Sequence, residues 1–202
     1  MYQRSFSILS PENSLLFVVD IQERLMPVIN KSSTVIFNTR RLLNSAQLLG
    51  IPVIVSEQYP KGLGNTVTEI AQAIPKTTPV IAKQSFSVCA VEEVRKELEK
   101  YPAPKIILCG VETHVCILQS TFDLLTMGKD VVLAVDAVGS RFPIDEEIAL
   151  RRLESSGVTL ATTESVMFEW CGTSEHPHFK TISRFAKEQA ESRLPEHSES
   201  IK

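Results

Sequence analysis

Lys105-Ile106-Ile107-Leu108-Cys109-Gly110-Val111-Glu112-Thr113-His114-Val115-Cys116 is the stretch from which the fold is read. Ile106 to Cys109 is a short apolar run, of the kind that makes a strand buried on both faces. Gly110 breaks that run. From Val115 the apolar residues recur at steps of three and four, at Val115, Leu118, Phe122 and Leu125, which is a helical stripe. A strand therefore runs into a tight turn, and the turn into a helix. Cys116 falls in the first turn of that helix, and Thr113 is placed to cap it through its hydroxyl. The free N–H donors and partial positive charge of a helix start favour thiolate over thiol, so the turn suits a nucleophile. Taken alone, Cys116 reads slightly better as a small buried core residue, the fate of most free cysteines.

The same alternation extends in both directions. Leu15 to Val19 is an apolar strand closed by Asp20, with Gln22 just beyond. Val35, Thr39, Leu42, Leu43, Ala46 and Leu49 mark a helix capped by Ser32, Ser33 or Thr34. Gly50 and Pro52 close it. Val53 to Val55 is the second strand, and the loop Ser56 to Asn65 leaves its end. Thr66 and Glu69 form a capping box for a short helix ending at Pro75. Pro79 to Ala82 is a third strand, followed directly by Lys83. A helix carrying Val91, Val94, Leu98 and Tyr101 stops at Pro102. Beyond the quoted stretch, Val131 to Val135 is a fifth strand ending at Asp136. A helix from about Ile144 to Ser156 follows, then a short sixth strand, Val158 to Ala161. Two further helical segments come after it, and a polar tail frays from about residue 191. The expected fold is α/β: one three-layer, doubly wound domain over residues 1–202, with a six-stranded parallel sheet and helices on both faces.

Composition narrows the function. A formal charge of −3 leaves no basic excess to hold nucleic acid or an anionic membrane. No apolar run reaches membrane-spanning length. Met1 to Ser10 is too polar for an export signal, so a cytoplasmic protein is expected. The four cysteines, Cys89, Cys109, Cys116 and Cys171, show no metal-finger or CxxC spacing and read as reduced thiols. Neither a GxGxxG nor a Walker pattern occurs, and no cofactor is expected. His176 and His178, two residues apart across a proline, read as incidental rather than as metal ligands.

Asp20, Lys83 and Cys116 each follow a different strand. In a parallel sheet those strand ends share one edge, where ligands bind, so the three side chains can converge in one crevice. Together they suit covalent acyl chemistry. A sulfur attacks a carbonyl carbon, a carboxylate takes the thiol proton, and an ammonium holds the carboxylate and favours negative charge at sulfur. Asp136 shares the same edge and competes with Asp20 at this point. Glu57, Gln58, Tyr59 and Phe86 lie on loops expected to overhang Cys116.

The sequence resembles the isochorismatase-like cysteine hydrolases. The resemblance is carried by Val18-Val19-Asp20-Ile21-Gln22, by Ala82-Lys83 with Phe86 downstream, and by Gly110 to Cys116. It spans roughly Leu15 to Phe185. It implies an Asp20–Lys83–Cys116 triad, an oxyanion hole from the backbone N–H groups of Glu112 and Cys116, and a cis peptide between Val111 and Glu112. A substrate pocket is expected to draw on Gln22, Glu57, Gln58, Tyr59, Phe86 and Thr113, although Glu57, Gln58, Tyr59 and Phe86 suit a subunit interface equally; the resemblance implies a homo-oligomer built on dimers. Nicotinamidase relatives carry an Asp-x-His after the second strand that binds a metal. Here the segment reads Ser56-Glu57-Gln58-Tyr59-Pro60, so no metal is expected. The loop SEQYPKGLGNT looks instead like the subgroup of isochorismatase-domain proteins with poorly defined substrates. The expected function is metal-independent hydrolysis of a small-molecule amide or related C–N bond through a thioester. The alternative is a catalytically silent or thiol-reactive binding or scaffold protein on the same fold.

Overall fold

The computed structural model describes residues 4–101 and 104–188. Its elements alternate along the chain as β1 (Ser14–Val19), α1 (Ser32–Leu49), β2 (Val53–Gln58), α2 (Pro60–Leu63), α3 (Thr68–Ala71), β3 (Val80–Lys83) and α4 (Glu92–Lys100). They continue with β4 (Lys105–Val111), α5 (Leu118–Thr126), β5 (Asp130–Gly139), α6 (Pro143–Ser155), β6 (Thr159–Ala161), α7 (Thr163–Cys171) and α8 (Phe179–Lys187). The six strands form one parallel sheet in the order β3-β2-β1-β4-β5-β6.

Each face of the sheet carries its own core, because alternate strand residues point to opposite sides. Leu16, Val18, Val53, Val55, Ile107 and Cys109 pack beneath α1 and α7, through Val35, Leu42, Leu43, Ala46, Val166 and Trp170. Leu15, Phe17, Val19, Ile54, Ile81, Ile106 and Leu108 pack beneath α4, α5 and α6. Every residue of β1 and β4 is buried, which explains why both read as unbroken apolar runs. Trp170 is core, its indole N–H donating to Ser14 Oγ at 3.0 Å.

Several local expectations differ from the structure. Gly110 does not break β4; the strand runs through it to Val111 with Gly110 at φ 120°. A Cβ there would lie 2.0 Å from the carbonyl oxygen of Val19, so only glycine lets β4 approach β1 this closely. The strand β5 does not end at Val135 but continues to Gly139, because extra residues bulge between its pairing at Leu133 and at Val138. None of Ser32, Ser33 and Thr34 caps α1. The chain enters through Lys31 in a left-handed conformation, and the preceding Asn30 N–H donates to Ser140 O. Thr66 makes no capping box with Glu69; its N–H and hydroxyl are both committed to Glu57 Oε1. Pro102 and the tail from 191 lie outside the described residues.

Candidate active site

The order of strands reverses between β1 and β4, which opens a crevice beyond their carboxyl ends. Asp20 follows β1 and Cys116 follows β4, so the two flank that crevice. Lys83 comes from β3, and β2 stands between β3 and β1. The register pairs Val19 with Ser56 and Gln58 with Lys83. The lysine therefore stands one pleat further along and spans β2 with its long side chain. Ser56, Gln58 and Lys83 continue the alternation of Ile54 and Ile81, and so face the α4–α6 side, as Cys116 does.

The three side chains meet in the interior. Lys83 Nζ lies 2.6 Å from Asp20 Oδ2 and 3.4 Å from Cys116 Sγ. Asp20, Lys83 and Cys116 are 0%, 3% and 6% exposed, so their charges interact with little solvent screening. Such a pair persists only when its remaining hydrogen-bonding capacity is met. Ser56 Oγ donates to Asp20 Oδ1 at 2.8 Å. Lys83 Nζ donates to Gln58 Oε1 at 2.6 Å and to Ser85 O at 3.2 Å. Asp20 itself sits at φ 55°, a left-handed conformation that aspartate tolerates better than most residues.

Burial pushes the Cys116 thiol up to about 12, Asp20 adds to the rise, and Lys83 opposes it. This favours a thiol at rest over the thiolate that a helix start suggests. Desolvation and the Asp20 charge outweigh the lysine. Cys116 also does not sit in an α-helical first turn. Thr113–Ile117 is a single π-helical turn, and α5 begins at Leu118. Glu112 occupies the cap position without a side-chain capping bond, and Thr113 does not cap; its hydroxyl is buried without a hydrogen-bond partner. The Val111–Glu112 peptide is cis.

The expected pocket residues separate into groups. Gln58 lies at the site as the lysine's partner and also donates to Gln84 O at 2.8 Å. Gln22 is buried. It accepts from Gln58 N at 2.7 Å and donates to the carbonyls of Gln58 and Gly64, so it clamps the β2 loop from beneath. Strand alternation from Val53 and Val55 turns Glu57 onto the face away from the sulfur. There it lines a groove of about 380 Å³ with Thr66, Ile74 and Val80. Tyr59 and Phe86 are about half exposed on the loops after β2 and β3. Asp136 does not join Asp20, Lys83 and Cys116. Its Oδ1 accepts from Thr163 N at 2.7 Å and Thr163 Oγ1 at 2.9 Å, bracing the start of α7.

Two features escaped the sequence reading. Ser56 follows the apolar run Val53–Val55 and so has the look of a loop residue, although one more step of period-two alternation from Ile54 puts it on the site's face. Arg141 carried no signal at all. Its guanidinium makes paired contacts to Glu112, Nε to Oε1 at 3.0 Å and Nη2 to Oε2 at 3.1 Å. His114 contacts Ser140 Oγ through Nδ1 at 3.0 Å. All four cysteines are free and buried. Among the described residues, no cluster of three or more His, Cys, Asp or Glu is placed to hold a metal ion, and no helix is long and apolar enough to cross a membrane.

Known proteins share this architecture. The isochorismatase-domain family profile matches residues 14–165. Isochorismatase domain-containing protein 1 of Danio rerio is 43% identical over 183 residues, covering 90% of this chain. The chain spans only 64% of that relative's length. Isochorismatase domain-containing protein 2A of Mus musculus is 40% identical over 180 residues, 88% of this chain and 84% of the relative. The solved structure described as MAR1 ribonuclease from Caenorhabditis elegans superposes with a TM-score of 0.87 at 38% identity, over 96% of this chain and 100% of that one. With its parallel sheet, its crevice at the β1/β4 switch point and these matches along most of its length, the chain belongs to the isochorismatase family.

Proposed function

We propose that the chain is a metal-independent cysteine hydrolase that cleaves a small-molecule amide or related C–N bond. The observation that carries this reading is the Lys83 ammonium between Asp20 and Cys116, 2.6 Å from the carboxylate and 3.4 Å from the sulfur in a buried site. As the substrate carbonyl approaches, Asp20 takes the thiol proton and sulfur bonds to the carbonyl carbon. The carbonyl π electrons move to oxygen, which the N–H groups of Glu112 and Cys116 receive. Collapse breaks the C–N bond. The leaving nitrogen takes the proton from Asp20, and a thioester remains. Water then attacks the thioester, giving a proton to Asp20; the C–S bond breaks, the acid departs, and sulfur recovers its proton. Lys83 keeps its proton throughout and balances the charge that passes between carboxylate and sulfur. Gln58, Tyr59, Phe86 and Thr113 contribute to the substrate's surroundings.

The proposal extends to a cytoplasmic homo-oligomer built on dimers. Four free cysteines suit a reducing compartment. The exposed Phe142, Ile144 and Ile148 at the start of α6 supply apolar surface for self-association.

A screen of small amides, nicotinamide included, should find turnover in the wild type and none in Cys116→Ala. Intact mass should show an acyl adduct on Cys116 under rapid quench. Turnover that survives Cys116→Ala would remove the nucleophile from the scheme. A site that alkylates but turns over nothing would favour the thiol-reactive binding protein. RNA belongs in the same screen, because the nematode relative is described as a ribonuclease. It has less support here: the chain carries a net charge of −3 and the triad is almost wholly buried.

A further inference from the structure

We propose that Arg141 is a positioning residue for the oxyanion site, acting by neutralising and holding Glu112. This rests on the acyl-transfer reading above. Glu112 supplies one of the proposed backbone donors, yet its side chain brings a carboxylate into the same turn. Glu112 is 7% exposed, so its charge is poorly hydrated. A negative charge there opposes the negative charge that forms on the substrate oxygen, unless a cation balances it.

Arg141 meets that need in a fixed way. It engages both carboxylate oxygens, at 3.0 and 3.1 Å, the two-pronged geometry that a guanidinium makes and an ammonium cannot. The sheet itself sets the position. Val111 pairs with Gly139 in the β4–β5 register, so Glu112, one residue past β4, and Arg141, two residues past β5, leave neighbouring strand ends. Ser140, between Gly139 and Arg141 in the chain, is fully buried. Its carbonyl accepts from Asn30 N at 2.9 Å and its hydroxyl contacts His114 Nδ1 at 3.0 Å. The arginine thus stands on a strand end held from the β1–α1 loop on one side and from the nucleophile turn on the other. The guanidinium's role is electrostatic and geometric; it does not reach the reacting atoms through any contact the structure shows.

Two reactions of Cys116 separate this role from a general structural one. Acylation by 4-nitrophenyl acetate forms an oxyanion: sulfur bonds to the acetyl carbon, 4-nitrophenolate leaves with the C–O electron pair, and the thiol proton stays on Asp20. Alkylation by iodoacetamide displaces iodide at a methylene carbon and forms no oxyanion. Arg141→Ala should slow acylation roughly tenfold, less than the hundredfold or more that loss of an oxyanion donor brings. Its alkylation rate should stay within about twofold of wild type. Adding Glu112→Gln to Arg141→Ala removes the unbalanced charge and should restore acylation to within about threefold of wild type. Arg141→Lys should fall between. Equal slowing of both reactions, unchanged acylation in Arg141→Ala, or a double variant no faster than the single one would each overturn the inference. A wild-type chain that alkylates at Cys116 but never acylates would instead overturn the acyl-transfer reading, and this inference with it.

Discussion

Ser56 Oγ donates a 2.8 Å hydrogen bond to Asp20 Oδ1, and the Asp20 backbone N–H donates back to Ser56 O at 3.1 Å. Two neighbouring strands thus fix one carboxylate through both side chain and main chain, with its other oxygen against Lys83. A hydrogen bond to a charged group contributes about 1.5–3 kcal/mol. Ser56→Ala should cost that much stability, read as a lower urea midpoint with an unchanged denaturant slope. A variant as stable as wild type would show that the carboxylate does not depend on this hydroxyl.

Lys83 faces Asp20 where both are almost wholly buried. Removing one partner of such a pair typically costs about 3–5 kcal/mol, because the other charge is left unbalanced. Lys83→Met should show a loss of that size, and Asp20→Asn in the same chain should recover much of it. A double-mutant cycle on urea midpoints should give a coupling near the upper end of the usual 0.5–3 kcal/mol. Coupling near zero would mean that the two charges are individually solvated. Neither the single nor the double variant should hydrolyse amides.

Much of this arrangement was legible before the structure. The buried strands β1 and β4 announce themselves as apolar runs, and Asp20, Lys83 and Cys116 stand at or just after the ends of three strands. Parallel topology alone then brings Asp20 and Cys116 to one edge. What could not be read is what depends on register and on strand faces. Glu57 and Gln58 are neighbours in sequence and sit on opposite sides of β2, and only the sheet shows which side holds the sulfur. Arg141 reaches Glu112 because β5 bulges and then realigns Gly139 with Val111. No local pattern encodes that. The π-helical turn at Cys116 escaped for a related reason: Thr113 has the composition of a cap, and the backbone took a wider turn.

Gly110 gives a direct test of the β1–β4 approach. An alanine there would have to hold φ near 120° with its Cβ 2.0 Å from the Val19 carbonyl oxygen. The strands would have to separate in the centre of the sheet. Gly110→Ala should therefore cost about 3 kcal/mol or more, combining backbone strain with overpacking. Chemical denaturation of the purified variant, or its failure to accumulate as folded protein, would register this. A loss under about 1 kcal/mol would mean that the strands can part here with little resistance.

The raised thiol of Cys116 makes a prediction of definite sign for Asp20. Burial is the largest cause of the rise to about 12, Asp20 adds through its charge and its hydrogen bond, and Lys83 opposes. Iodoacetamide reacts with thiolate, so wild-type alkylation of Cys116 should climb steadily from pH 7 to pH 10 without levelling near 9. Asp20→Asn removes the repelling charge and leaves the ammonium, 3.4 Å from sulfur, unopposed by the carboxylate. The thiol should then ionise more readily, and alkylation at pH 8 should speed up, by up to about tenfold for each unit of fall before lower nucleophilicity is counted. Amide hydrolysis should be lost in the same variant, since nothing accepts the proton during attack. The linkage to stability runs in the matching direction. A thiol raised in the folded chain stabilises it fully below pH 9, and that contribution fades as pH rises toward 12. Asp20→Asn should therefore weaken the alkaline loss of stability that Cys116 contributes, most clearly against Cys116→Ala as the reference. Slower alkylation in Asp20→Asn would show that the carboxylate assists this reaction as a base, and that proton acceptance outweighs repulsion at the sulfur.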